Sequence, residues 1–186
     1  VGDVELSDGV ISLAPLRPED AEAHLAGEDE PMVRWLSGGR STRGDVDAYI
    51  RHCQEQWDTG GSLRAFGIRA GSAGTLAGTV DLRFEAEGLG AGQVNVAYGI
   101  YPAWRGRGLA TRAVLLACGY AATAGGRQAV IQVEPENCAS VAVARRAGFA
   151  SAGYATGADG TRLDRYVRDL PFTPDNAARS STASGA

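Results

Sequence analysis

The stretch Tyr98-Gly-Ile-Tyr-Pro-Ala-Trp-Arg-Gly-Arg-Gly-Leu-Ala-Thr111 decides how the rest of this chain is read. Val94, Val96, Tyr98 and Ile100 alternate with Asn95, Ala97, Gly99 and Tyr101, which predicts a strand ended by Pro102. A glycine-bearing loop follows. Leu109 to Ala124 is apolar nearly all round and stops at Gly125-Gly126, as a buried helix would. The first amides of a helix lack internal partners, and the macrodipole adds partial positive charge there. Gly106 and Gly108 let peptide N–H groups approach a ligand with no Cβ in the way. Strand, loop and helix start together predict a site for a phosphorylated ligand.

Two common phosphate-binding patterns fail on this segment. Gly106-x-Gly108-x-x-Thr111 nearly matches the dinucleotide fingerprint, which needs an acid about 20 residues on to hold a ribose hydroxyl. No Asp or Glu lies between Gly88 and Val133, and Thr111 stands where Gly or Ala should pack. All eighteen basic residues are Arg, so a G-x-x-x-x-G-K-(S/T) loop, a Schiff-base lysine and a lysine base are excluded. The same acid-free stretch holds Arg105, Arg107, Arg112 and Arg127, a local charge of +4 against fourteen arginines and twenty-two acids elsewhere. Such segregation suits a ligand with several phosphates.

On the N-terminal side, Val4 to Leu16 alternates around Asp8-Gly9 and predicts a hairpin. Pro18, Glu19 and Asp20 start a short helix that ends near Gly27. A second helical stretch spans Met32 to Leu36 and is broken by Gly38-Gly39. Thr42-x-x-Asp45 is a capping box for an amphipathic helix carrying Val46, Ile50, Cys53 and Trp57. Leu63–Arg69 and Thr75–Phe84 read as paired strands around the Gly71–Gly74 turn. On the C-terminal side come a strand over Ala129–Val133, a helix over Asn137–Ala147, and a strand pair flanking Asp159-Gly160. The expected organisation is one domain over 1–170 and a polar, disordered tail over 171–186.

Composition narrows the function. The chain has 186 residues and a net charge of −4, against a cationic nucleic-acid binder. Two His and three scattered Cys provide no metal-ligand spacing and no disulfide framework, so no metal is expected. No apolar run reaches ~18 residues and no signal segment precedes the first strand, so a soluble cytoplasmic protein without membrane partners is expected.

Arg105-Gly-Arg-Gly-Leu-Ala110 resembles the (Q/R)-x-x-G-x-(G/A) signature of the GCN5-related N-acetyltransferase (GNAT) superfamily. Asn137-x-x-Ser140 followed by Ala147-Gly148-Phe149 resembles its second cofactor motif, and Leu16-Arg-Pro-Glu-Asp20 the opening of the branch that acetylates ribosomal-protein N-termini. The resemblance covers residues 10–168. It implies an α/β (α+β) fold: a mixed, mostly antiparallel central sheet splayed between two strands, Val94–Tyr101 and Ala129–Val133, with helices on both faces. It also implies acetyl-coenzyme A as co-substrate, its diphosphate cradled by Arg105, Gly106, Arg107, Gly108, Leu109, Ala110 and Thr111. Gly99, Ile100 and Tyr101 would line the pantetheine, and Asn137, Ser140 and Arg145 would complete the cofactor site.

Under that resemblance the chain is an N-acetyltransferase working by direct transfer, as a monomer or homodimer, with a small-molecule or peptide amine as acceptor. Glu134, at the end of the second splayed strand, is the candidate base, with Asp81 and Glu85 behind it. Gln132 stands where some relatives carry a Glu. Ala144 stands where many carry a proton-donating Tyr, which leaves Ser140 as the candidate acid. Those two departures support the alternative of a non-catalytic acyl-coenzyme A-binding or regulatory domain. His24 and His52 are expected on helix surfaces, and Trp35 and Trp57 in core packing.

Overall fold

A computed structural model describes residues 4–157 and 159–171 of the chain. The tail expected from Pro171 onward lies, apart from Pro171 itself, outside the described residues. The hairpin β1 (Leu6–Ser7) and β2 (Ile11–Pro15) opens the chain. The 3-10 turn Pro18–Asp20 leads into α1 (Ala21–Gly27), and α2 (Glu30–Met32) runs on into a π-helical turn at Val33–Ser37. Then come α3 (Arg43–Asp58), β3 (Leu63–Ala70), β4 (Thr75–Arg83) and β5 (Gln93–Ile100). The chain closes with α4 (Leu109–Thr123), β6 (Gln128–Val133), α5 (Cys138–Arg146), β7 (Ala150–Thr156) and β8 (Arg162–Asp169).

Local chemistry sets several of these boundaries. Thr42 Oγ1 accepts from the Asp45 amide at 3.3 Å, and the Asp45 carboxylate accepts from the Thr42 amide at 2.8 Å. This reciprocal cap contributes about 1 kcal/mol to α3. Gly38, at φ +69°, ends the π-helical turn in a conformation that side chains resist.

The eight strands form one sheet in the order β1-β2-β3-β4-β5-β6-β8-β7. Every pairing is antiparallel except β5 with β6. Adjacent residues of a strand face opposite sides, and β3 shows the division: Ala65 belongs to the core under α1 and α3, Phe66 and Ile68 to the core under α4. Val46, Ile50 and Cys53 close the first core against Leu16, Ala65 and Leu76. Ala113, Ala117 and Ala121 let α4 lie close on β2, β4 and β5 in the second, where Leu13, Phe66 and Ile68 are fully buried. Each of those large side chains contributes about 2 kcal/mol of burial. Trp57 belongs to this core, edge-on to Phe66 and donating to the Ala65 carbonyl at 3.0 Å.

Two points depart from the sequence expectations. α4 is not buried all round: Arg112, Leu115 and Gly119 form an exposed stripe, and Leu115 is 41% exposed. The expected gap in the sheet is present, and its start is sharp. β5 pairs with β6 only through Gln93, Val94 and Asn95 opposite Gln128, Ala129 and Val130. Beyond Asn95, β5 continues against β4 while β6 continues against β8, so the strands part between the two halves of the sheet.

Candidate active site

The loop joining β5 to α4 has the geometry of an anion cradle. Gly106 and Gly108 both sit at φ +73°, and a Cβ built on either would meet nothing within 4 Å. The glycines are thus required first by backbone conformation, because an L side chain at such a φ costs roughly 1 kcal/mol or more. The first helical bond runs from the Arg112 amide to the Gly108 carbonyl at 3.3 Å. The amides of Leu109, Ala110 and Thr111 precede it and stand at the positive end of a 15-residue helix. Leu109 is buried and anchors this turn to the core.

The four arginines of the acid-free stretch do not gather there. Arg105 donates to both carboxylate oxygens of Asp29, at 2.6 and 2.9 Å, and through Nε to the Ile100 carbonyl at 2.8 Å. Its guanidinium therefore braces the loop against the start of α2 rather than turning to the cradle, and it holds the Asp29 carboxyl below the usual range. Arg112 pairs with Asp8 at 2.7 Å. Arg107 stacks over the Trp104 ring at 5.1 Å. Arg127 follows the far end of α4, some 20 Å away along the helix. Partners remote in sequence take up two of the four positive charges, so the cradle rests on peptide groups and the helix terminus. Arg145 is exposed and outside the cavity; its neighbour Arg146 lines it.

The parted strands open a cavity of about 1250 Å³ that runs from this loop to the opposite face of the sheet. Gly99, Ile100, Arg105, Gly106, Gly108, Leu109, Ala110, Thr111, Asn137 and Ser140 line it, while Tyr101, Arg107 and Arg145 do not. The Tyr101 amide donates to the Ala77 carbonyl on β4 at 2.8 Å, and its ring is buried against Gly27. Strand groups alternate in direction, so the peptide of Gly99 also faces β4. The groups turned toward the gap are those of Tyr98 and Ile100. Of the three residues expected beside the pantetheine, Gly99 and Ile100 line the cavity together with Tyr98, and Tyr101 does not.

Across the gap, the Tyr98 hydroxyl lies 2.9 Å from Ser140 Oγ and donates to the Ser140 carbonyl at 3.1 Å. Asn137 caps α5 by accepting from the Ser140 amide at 3.1 Å, which fixes this serine at the first turn. Burial pushes the Tyr98 phenol up to about 12, so it is a neutral hydroxyl at working pH. Ala144 is the fully buried residue of α5 and offers no proton. Glu134, half-buried just past β6, lines the cavity beside Gln132. Glu85 does not line it.

The other face holds groups that local sequence does not reveal. His24 is turned inward rather than lying on the helix surface, and it lines the cavity with its Nδ1 2.8 Å from the Tyr101 hydroxyl. Its spacing from buried Ala21 and Gly27 was the available signal, since residues three apart share a helix face. Burial holds the imidazole below its ordinary value, against the opposing pull of Glu28 and Asp20. His24 stacks on Tyr49, whose hydroxyl donates to both oxygens of Asp81 at 3.1 Å. Asp81 is buried, and burial raises its carboxyl above the ordinary range despite Arg83 and Tyr49. Trp35 lines the cavity instead of filling the core, with Arg34 over its ring at 4.2 Å. Among the described residues no group of three His, Cys, Asp or Glu is placed to hold a metal, and no helix is long and apolar enough to cross a membrane.

Comparison with known proteins agrees with this geometry. The ribosomal-protein-S5-alanine acetyltransferase from Vibrio fischeri superposes with a TM-score of 0.76 at 17% identity, covering 92% of this chain and 100% of that one. RimL, a ribosomal L7/L12 alpha-N-protein acetyltransferase in complex with coenzyme A, gives 0.72 at 17% identity over 90% and 98%. AAC(6')-Ib, in complex with paromomycin and acetyl-coenzyme A, gives 0.72 at 18% identity over 95% and 99%. These likenesses establish a shared fold. No curated protein sequence matches the chain. Residues 11–150, from the strand of the opening hairpin to the start of β7, match the acetyltransferase (GNAT) domain, and the chain belongs to that family.

Proposed function

We propose that the chain transfers an acetyl group from acetyl-coenzyme A to a primary amine, directly, with donor and acceptor bound together. The observation that carries this reading is the continuity of one cavity from the Gly106–Thr111 cradle, through the parted strands, to the carboxylates on the opposite face. A diphosphate suits the cradle: two left-handed glycines and three leading helix amides present donors and positive dipole without a side chain in the way. A pantetheine arm suits the gap, where the Tyr98 peptide and the Ile100 amide lack a β6 ladder partner, the Ile100 carbonyl being taken by Arg105.

Acetyl-coenzyme A supplies an activated acyl carbon on a thioester sulfur. The chain's own groups do the rest. Gap-facing amides on β5 orient the thioester carbonyl and stabilise the charge that grows on its oxygen. Glu134 takes a proton from the acceptor, directly or through water, so that a neutral amine attacks. The C–N bond forms, the now cationic nitrogen loses its second proton to water, the C–S bond breaks, and the Ser140 hydroxyl gives a proton to the sulfur. Tyr98, 2.9 Å from Ser140, is placed to restore that proton. The acceptor is a peptide N-terminus or a small-molecule amine; the superposed structures include proteins named for both kinds of ligand.

The test is a mass-spectrometric transfer assay with acetyl-coenzyme A across tripeptides with free N-termini, aminoglycosides and amino acids. Acetylated product is expected with at least one class, and Glu134→Gln should lower kcat at neutral pH with partial recovery at high pH. Tight coenzyme A binding with no turnover on any amine would favour a non-catalytic acyl-coenzyme A-binding domain.

A further inference from the structure

Asp81 is an expensive residue to keep where it is. An ionised carboxylate has about four acceptor positions, yet this one receives a single hydroxyl, that of Tyr49, shared between its oxygens at 3.1 Å each. Its nearest cation, Arg83, lies 3.7 Å away with a half-exposed side chain. The Asp81 side chain itself is only 11% exposed. Burying a charge with so little compensation is unfavourable, and an asparagine would accept the same Tyr49 bond at lower cost. A purely structural tie therefore gives no reason for a carboxylate here.

The surroundings supply one. Asp81 lines the cavity and stands opposite Ala97 in the β4–β5 register, two residues past the point where β5 leaves β6. The groups that face it from neighbouring elements are Tyr49 and Cys53 on α3 and Arg83 on its own strand, with His24 of α1 behind Tyr49. Burial raises the Tyr49 phenol far above its ordinary value and the Cys53 thiol to about 12, so neither adds a competing charge. His24 is held toward its neutral form. Nearer the mouth, Glu28 and Asp45 also line the cavity, and hydrogen bonds keep both carboxyls below the ordinary range. They draw cations inward, while their oxygens stay occupied by Ser37, Ser41 and Thr42.

We propose that Asp81, aligned by Tyr49, is the docking carboxylate for a positively charged amino group of the acceptor, which makes the preferred acceptors alkylammonium compounds rather than neutral aromatic amines. This rests on the acetyltransferase reading but differs from it in what it requires, because docking precedes and does not need transfer. Asp81 is here a specificity-determining residue; the proton removed for attack still goes to Glu134.

The experiment uses the whole chain saturated with coenzyme A, titrated with benzylammonium chloride and, separately, with benzyl alcohol, by two-dimensional NMR. Benzylammonium should shift signals around Tyr49, Asp81 and Ala97 and should bind the Asp81→Asn variant about 10-fold or more weakly, in keeping with the strength of a charge-assisted bond. Benzyl alcohol should bind both proteins alike. Tyr49→Phe keeps the carboxylate but removes its donor, so the pH midpoint below which benzylammonium binding is lost should move upward. With any alkylamine that is turned over, Asp81→Asn should raise KM far more than it lowers kcat, whereas Glu134→Gln should do the reverse. Equal benzylammonium affinity in wild type and Asp81→Asn, or shifts confined to Glu28 and Asp45, overturns the proposal. Transfer that persists unchanged in Asp81→Asn overturns it while leaving the acetyltransferase reading intact.

Discussion

Gly108 offers a perturbation in which binding and stability should move in opposite directions. It sits at φ +73° as the residue capping α4, with open space where a Cβ would go. Asn and Asp tolerate this backbone region better than other side chains and are nearly the same size, so Gly108→Asn and Gly108→Asp share whatever strain the substitution brings. They differ by one negative charge. In the free protein that charge meets the positive end of α4 and should stabilise the aspartate variant by about 0.5–1 kcal/mol over the asparagine variant. With coenzyme A bound, the same carboxylate stands roughly 6 Å from a diphosphate of about two charges, and at an effective dielectric near 40 the repulsion is roughly 3 kcal/mol. That corresponds to about a hundredfold in Kd. Thermal unfolding without ligand and calorimetric titration with coenzyme A measure the two effects on the same samples. An aspartate variant at least as stable as the asparagine variant, yet about a hundredfold weaker in binding, is expected. Equal affinity of the two variants would refute the placement of the diphosphate at this helix terminus.

Three further outcomes follow from the packing and the charges. A side chain at Gly78 would run into the Gly99 carbonyl and the Ile100 backbone, so Gly78→Ala should cost about 2–3 kcal/mol and weaken coenzyme A binding by displacing β5; an unchanged melting temperature would show that β4 and β5 are not held this closely. Asp20 forms a bidentate pair with Arg69 at 2.8 and 3.1 Å and also accepts from the Arg17 amide, all at low exposure, so Asp20→Asn should lose about 3 kcal/mol in urea unfolding; a loss under 1 kcal/mol would reduce the pair to a surface contact. Burial depresses the His24 value, so the unfolded chain binds a proton more readily and stability should fall as pH drops below about 6.5. His24→Gln should remove that part of the decline between pH 7 and 5, and an identical pH dependence in both proteins would contradict it.

The elements around the site were legible because local signals mark them. The Thr42–Asp45 cap, the Gly38 and Gly108 breaks and the alternation through Val94–Ile100 each act within a few residues. What escaped was decided by partners far along the chain. Arg105 looks like a phosphate ligand until Asp29, 76 positions away, claims it, and Arg112 is claimed by Asp8 from 104 positions away. Tyr49 and Asp81, 32 positions apart, gain meaning only when α3 packs on β3 and the Tyr49 hydroxyl reaches the neighbouring β4. The one-sided exposure of α4 was hidden because Leu115, Gly119 and their buried neighbours are alike apolar or small, so hydropathy does not separate the faces. His24 fell on the wrong side for a related reason: α1 has seven residues, and its inward face is marked only by the small Ala21 and Gly27.

In the proposed complex the amides opening α4 hold a nucleotide diphosphate while the gap between β5 and β6 holds the thiol-bearing arm. A crystal structure of the chain with coenzyme A tests it most directly. The diphosphate is expected against Gly106–Thr111 and the arm between Tyr98–Ile100 and β6, with its sulfur facing Glu134 and Ser140. Coenzyme A bound elsewhere, or β5 and β6 paired continuously past Asn95 and Val130, would contradict it.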